Sequence, residues 1–404
     1  MFFFQSQSLS QMPNSQPIPK KVSSSNPGVV PKKTFNTLLI DGSNILELSS
    51  LGDKTVSSNG KYVGGIYQFL LQIKIMLQKA HFRYIFVMWD GVSGGIMRYR
   101  LNKDYKANRD KNYEEYDTEG LSDYMKSVNE GVRNMKKYFA SKNKDKFVQN
   151  KKEKEVFYEQ RGVIIDCLEE LFIRQCVVDE VEADDLIAFY VLHKKPEERI
   201  VIMSNDKDLT QLISEDVIVY SQRKKKFITS KNSVEELGYL HENVLLNKMI
   251  CGDQSDNIKG VKGLGETTLI KNFPELKKKK VTLEEILDKA RKINLERANE
   301  KKKPLKWVEN LVNGVTDGSQ GNDLYGINRK IIDLKHPLVT KEAEELMIML
   351  MYEPMDEEDR NFDNLYNILC KAGVDELTDY NRFSNFFTEF SLFVEETKKN
   401  QKKV

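Results

Sequence analysis

The stretch TLLID, residues 37–41, decides the fold. It is an unbroken apolar run that stops on an aspartate, and the same pattern returns in YIFVMWD (84–90) and RIVIMSND (199–206). Continuous rather than alternating hydrophobicity marks strands covered on both faces. Helical patterns separate them: GGIYQFLLQIKIMLQKA (64–80), then RGVIIDCLEELFIRQ (161–175), in which Val163, Ile164, Cys167, Leu168, Leu171 and Phe172 share one stripe. Strand alternating with helix predicts an α/β core with a mostly parallel sheet flanked by helices. Ligands of such sheets bind beyond the carboxyl ends of the strands, and Asp41, Asp90 and Asp206 all belong to that edge.

The same edge collects further acid. In EVEADDLIAFYV (180–191), Ala183, Leu186, Ile187, Tyr190 and Val191 follow the spacing of one helix face, with Glu182 and Asp185 on one flank and Asp184 on the opposite shoulder. Acids in a first helical turn ordinarily complement the helix dipole, worth ~0.3–1 kcal/mol each. That accounts for one or two of them. Asp206 and Asp208 occupy a turn directly after a strand, where an aspartate also serves as an N-cap. Asp253 and Asp256 form a third cluster in CGDQSDNIKGVKGLGETTLIKNF (251–273). At an effective dielectric of about 20, two like charges ~5 Å apart repel by roughly 3 kcal/mol. Gathered carboxylates therefore need counter-charge, and hard divalent cations with oxygen ligands, Mg2+ or Mn2+, supply it.

With 404 residues the chain can bury a sizeable core. It has no apolar run near the ~20 residues that span a bilayer, and MFFF at the start lacks the features of a signal peptide. A cytoplasmic protein without membrane contact is the expectation. Cys167, Cys176, Cys251 and Cys370 have neither paired spacing nor a histidine cluster, which argues for reduced thiols rather than zinc. Residues 1–34, rich in Ser, Gln, Pro and Lys, are expected to be a disordered tail. The net charge of +2 hides segregation: Arg133 to Arg161 carries ten Lys/Arg against four Asp/Glu. Such a run suits a polyanion, although most basic runs are solvated faces.

Taken in order, LLIDGSNIL (38–46), VMWDG (87–91), VEADDLIA (181–188), SNDKDLTQLI (204–213) and GDQSDNIKGVKGLGETT (252–268) resemble the 5′-nuclease family over roughly residues 35–275. That family comprises flap endonucleases, the 5′→3′ exonuclease domain of bacterial DNA polymerase I and phage replication exonucleases; the layout is most similar to the last, the phage ribonuclease H type. The resemblance implies a PIN-like fold with a helical arch insertion and a C-terminal helix-three-turn-helix. It places metal ligands on Asp41, Asp90, Glu182, Asp184, Asp185, Asp206, Asp208, Asp253 and Asp256, for two Mg2+ or Mn2+ ions. It gives Lys106 and Arg109, at the foot of the arch, contact with the scissile phosphate, and Tyr105 could stack on a terminal base. A histidine base is unnecessary, and His81, His193, His241 and His336 lie outside every motif. In GVKGLG, Gly260, Gly263 and Gly265 would let backbone amides approach a phosphate of the duplex, commonly with K+, while Lys259, Lys262 and Lys271 add phosphate contacts.

The expected division is a tail (1–34), a PIN-like catalytic domain (35–241) with an arch at about 92–160, and a helix-three-turn-helix region with a helical extension of open role (242–404). The expected function is metal-dependent 5′→3′ exonuclease and flap endonuclease action on DNA with a 5′ flap, nick or RNA primer during replication or repair. A monomer is expected, recruited by single-strand-binding or other replication proteins, in the host cytoplasm if phage-encoded. The competing reading is a catalytically silent DNA-junction binder.

Overall fold

The computed structural model describes residues 35–58, 60–106, 144–317, 323–355 and 360–401. The expected tail, Arg109 and most of the expected arch lie outside the described residues. Six strands form the central sheet: β1 Thr37–Asp41, β2 Tyr84–Trp89, β3 Arg174–Val177, β4 Ile200–Met203, β5 Val217–Ser221 and β6 Lys226–Ile228. Their order is β3-β2-β1-β4-β5-β6, parallel except for the antiparallel pair β5/β6. The runs ending in aspartate are adjacent strands in register, with Leu39 opposite both Phe86 and Ile202. β3, β5 and β6 were not anticipated, because none of them ends on an acid.

Every residue of β1 is buried, as a run of unbroken hydrophobicity requires. Leu39, Phe86, Met88, Ile202 and Val219 face the helix Ala183–His193. Leu38, Ile40, Val87, Trp89, Val201 and Met203 face the other way, toward the helices Gly42–Gly52, Gly64–Lys79 and Lys144–Glu170.

The first core runs across residue 241 without a break, through Val244, Ile250, Leu269 and Phe273 to Met347. The second recruits Leu365, Leu369, Phe383, Phe387 and Phe390 from the C-terminal helices Phe362–Ala372, Tyr380–Phe386 and Thr388–Gln401. The boundary expected at 241/242 is therefore not a packing seam. The C-terminal helices return to cover the sheet's far face, packing on Lys144–Glu170 and Gly64–Lys79. No helix among the described residues is long and apolar enough to cross a membrane.

Candidate active site

The structure sorts the nine predicted metal-ligating acids into three groups by the counter-charge each receives. The first group lies at the carboxyl ends of β1, β2 and β4. Asp41 ends β1 and caps the following helix, accepting from the Asn44 amide at 3.1 Å and from Ser204 Oγ at 2.8 Å. The Asp90 carboxylate accepts from the Ala183 amide at 2.8 Å, tying β2 to the start of the helix Ala183–His193. Asp206 accepts from the Asp208 amide at 2.8 Å, while its own amide donates to Ser204 Oγ at 3.0 Å. These partners are neutral. Burial, and then the neighbouring Asp90 carboxylate, push Asp41 up to about 8. Burial together with Asp206, Asp41, Asp90 and Glu182 holds Asp184 well above the usual carboxylate range. Burial and facing carboxylates thus both favour the neutral form of Asp41 and Asp184.

In the second group, Asp208, Asp253 and Asp256 offer carboxylate oxygens that all lie within 4.8 Å of one another. Lys248, on the helix Val244–Cys251, inserts its ammonium between two of them, pairing with Asp208 and lying 2.5 Å from Asp253 Oδ2. Burial would raise Asp253, but Lys248, aided by Ser255, holds it at about 2. A lysine thus already occupies cationic space between these acids.

The third group is closed behind the site. Arg98, on the helix Ile96–Leu101 and 6% exposed, donates through Nη2 to Asp185 Oδ1 at 2.9 Å and through Nη1 to Glu182 Oε2 at 2.6 Å; Nη1 also bonds Asp185 Oδ2. The Leu338 amide donates to Asp185 at 2.9 Å. Lys106 Nζ pairs with Glu182 Oε1, and the Tyr105 hydroxyl donates to Glu182 Oε2 at 2.9 Å. Burial opposes the charge on Glu182, yet Lys106 and Arg98 hold it at about 2. Burial opposes the charge on Arg98 too, and Asp185 and Glu182 keep it protonated.

Three sequence expectations change here. Glu182, expected to hold metal, has its two oxygens taken by Arg98, Tyr105 and Lys106. Asp185 has both oxygens committed to Arg98 and one of them also to Leu338, so it faces away from the group around Asp41 in its bonding. Tyr105, expected to stack on a base, is 2% exposed and lies against Ile258, Ile331 and Ile332. A ring so enclosed offers no face to a nucleobase; its hydroxyl orients Glu182 instead. Arg98 and Lys248 were missed. The available signal was the carboxylate excess itself, which demands cations but does not say which.

Lys106 stands at the rim, half-buried, with φ +51°, its amide donating to the Asp256 carbonyl at 2.7 Å. This contact joins the foot of the expected arch to the hairpin of β7 Gly252–Asp253 and β8 Ile258–Lys259.

GVKGLG follows that hairpin and enters the helix Glu266–Asn272. Gly260 departs from its expected role: a Cβ there would lie 2.1 Å from the Cys251 carbonyl carbon, so its glycine serves close backbone packing within the protein. The Lys262 amide is taken by the Val315 carbonyl at 2.8 Å, and its ammonium pairs with Asp317 at 2.6 Å. Gly263 has φ +77°, with open space where a Cβ would stand, as at Gly265. Lys259, Lys262, Gly263, Gly265 and Lys271 are exposed along this turn.

A parallel sheet with an all-oxygen acidic edge, a lysine at its rim and an exposed glycine turn beside it defines a PIN-like, nuclease-type α/β protein. Residues 36–238 match the family described as 5′-3′ exonuclease, N-terminal resolvase-like domain, and the chain belongs to that family. It is 27% identical over 285 residues to a 5′-3′ exonuclease of Mycoplasmopsis pulmonis, covering 69% of this chain and 81% of that protein. It is 25% identical over 327 residues to one of Aquifex aeolicus, covering 80% and 95%. A DNA polymerase I of Bacillus subtilis is 34% identical over 148 residues, 34% of this chain and 17% of the polymerase. Among solved structures, the fold is similar to phage T5 D15 protein co-crystallised with metal ions (TM-score 0.52, 18% identity, 83% of this chain and 99% of that one).

Proposed function

We propose that the protein is a divalent-metal-dependent 5′→3′ exonuclease and flap endonuclease that hydrolyses phosphodiester bonds at 5′ ends and junctions of DNA or RNA-primed DNA. The observation that carries this reading is the convergence of Asp41, Asp90, Asp184 and Asp206 on one sheet edge with Asp41 pushed up to about 8, next to a lysine-tipped rim. The donor set is entirely oxygen, which suits Mg2+ or Mn2+, and a hard cation would offset the repulsion among these carboxylates. The relatives named 5′-3′ exonuclease support the same reading.

Bound divalent ions supply positive field at the scissile phosphate and ease proton loss from the attacking water. Asp41, Asp90, Asp184, Asp206, Asp208, Asp253 and Asp256 would hold them. Ser204 and the Asn44 amide fix the Asp41 carboxylate, and the Ala183 amide fixes Asp90. Glu182, clamped by Arg98 and Tyr105, sets the position of the Lys106 ammonium, where it offsets charge developing on the phosphoryl oxygens. Asp185 acts through Arg98 as a positioning group. The exposed turn with Gly263, Gly265, Lys259 and Lys271 would grip the duplex, with K+ as a suitable ion there. Arg109 would join Lys106 on the phosphate.

The test is direct. The purified chain is incubated with 5′-labelled flap, nicked and RNA-primed duplexes, in Mg2+ or in EDTA, and the products are sized. Short 5′ products in Mg2+ alone are expected. Tight junction binding without products in Mg2+ or Mn2+ would replace this reading with that of a silent binder.

A further inference from the structure

At the opposite end of the sheet from the acids, two adjoining hollows with volumes of ≈120 and ≈270 Å³ share Arg174, Glu353 and Pro354. Tyr84 opens β2 and Arg174 opens β3, so the hollows lie at the amino ends of strands whose carboxyl ends carry the acidic site. At ~3.3 Å per residue, the length of β2 alone separates the two by about 20 Å. The first hollow is lined by Arg83, Arg174 and Lys195, with Glu353 as its one carboxylate residue.

How these cations are held is informative. Arg174 Nη1 donates to the Leu350 and Glu353 carbonyls, at 2.7 Å to the latter, and its guanidinium lies 5.8 Å from the Phe86 ring. Arg83 lies over Tyr84 at 5.1 Å, and Lys195 over Tyr352 at 5.2 Å. The Tyr352 hydroxyl in turn reaches the His193 carbonyl at 3.4 Å. Among the described residues none of the three cations forms an ion pair with a carboxylate, unlike Arg98, Lys106 and Lys248 in the acidic site. Aromatic faces and carbonyl dipoles orient a cation without cancelling its charge, so positive potential survives in a partly enclosed, low-dielectric hollow. Burial also lowers the Arg174 pKa, which an anionic partner would reverse.

We propose that this hollow binds a phosphate-bearing anion through Arg83, Arg174 and Lys195, at a site separate from the acidic edge. Two sources share that chemistry: a free mononucleotide and the backbone of a nucleic-acid strand. The proposal stands apart from the nuclease reading, because it concerns different residues on a different edge.

Titration calorimetry of the full chain in EDTA, against inorganic phosphate, 5′-dAMP and a short oligo(dT), tests it. Arg83→Ala/Lys195→Ala should weaken saturable binding at least tenfold, with an unchanged melting temperature and unchanged flap cleavage in Mg2+. Asp41→Asn should leave that binding intact. Phosphate or dAMP binding lost in the double variant assigns a free phosphate ligand. Oligo(dT) binding alone, lost in the same variant, assigns a strand. No saturable binding of any probe, or binding indifferent to the double variant, would overturn the proposal. Arg174→Gln, with charge-keeping Arg174→Lys as its control, guards against a folding failure: a folded Arg174→Gln variant with unweakened binding also counts against the site.

Discussion

Arg98 Nη2 donates to Asp185 Oδ1 at 2.9 Å, joining the short helix after β2 to the helix after β3 behind the acidic site. Both side chains are buried, and Glu182 shares the same guanidinium. Removing one partner of a buried ion pair costs about 3–5 kcal/mol, whereas replacing the pair with apolar residues of similar volume is often neutral. Arg98→Ala should therefore lower unfolding stability in urea by about that amount. Arg98→Met/Asp185→Leu should recover part of the stability while cleavage stays low, since Glu182 and Lys106 lose their alignment. Full cleavage by the double variant would remove Arg98 and Asp185 from the positioning of the site.

Asp41→Asn or Asp206→Asn should abolish cleavage in Mg2+ and leave junction binding in Ca2+ largely intact. Each change removes a carboxylate from the first acidic group and alters no residue of the exposed glycine turn. Near-normal turnover by both variants would refute the metal-site assignment.

The pH dependence of metal-free stability has a definite sign. Asp41 is pushed up to about 8 in the folded chain, against ~3.9 when unfolded. Between these values the folded state holds the extra proton, so stability falls as pH rises through the window. The melting temperature in EDTA should drop from pH 6 to pH 8.5, and Asp41→Asn should flatten that slope. Glu182 and Asp253, both held at about 2, act oppositely: their contribution is lost as pH falls below ~4. Thermal scans across pH check both limbs, and a rising melting temperature from pH 6 to 8.5 would contradict the first.

Lys106→Ala should cut single-turnover cleavage at saturating enzyme by two or more orders of magnitude, about 3 kcal/mol, with a much smaller change in affinity measured in Ca2+. The Glu182 pKa should rise as the Lys106 ammonium that lowers it disappears. Reduced affinity with an unchanged saturated rate would make Lys106 a tether.

The two glycines of the turn should fail differently. Gly260→Ala pushes a methyl group against the Cys251–Gly252 backbone and should lower melting temperature before any binding defect is resolved. Gly263→Val has room, but φ +77° strains a β-branched residue by about 1–3 kcal/mol. It should weaken binding to duplex-containing substrates more than to single strands. Equal losses on both would reduce GVKGLG to an ordinary turn.

The sequence by itself determined the three adjacent strands β1, β2 and β4 and their acid-bearing edge. TLLID, YIFVMWD and RIVIMSND carry their hydrophobicity and their terminal acids within a few residues, and strand burial imposes that pattern locally. For the same reason the helix Ala183–His193 was legible from its apolar spacing. Only the tertiary structure decided which acids stay uncompensated. Asp41, Asp90, Asp184 and Asp206 look no different in sequence from Asp185, Asp208 and Asp253, but Arg98 lies 87 residues before Asp185 and meets it through packing. Tyr105 looked like a free aromatic in a basic run until Ile258, Ile331 and Ile332 enclosed it. The helices after Phe362 carried no motif, and their role as cover for the far face of the sheet emerges only where Leu365, Phe387 and Phe390 meet the core. Periodicity reports what a residue's neighbours in the chain require; counter-charge and burial depend on neighbours in space, which long-range packing alone selects.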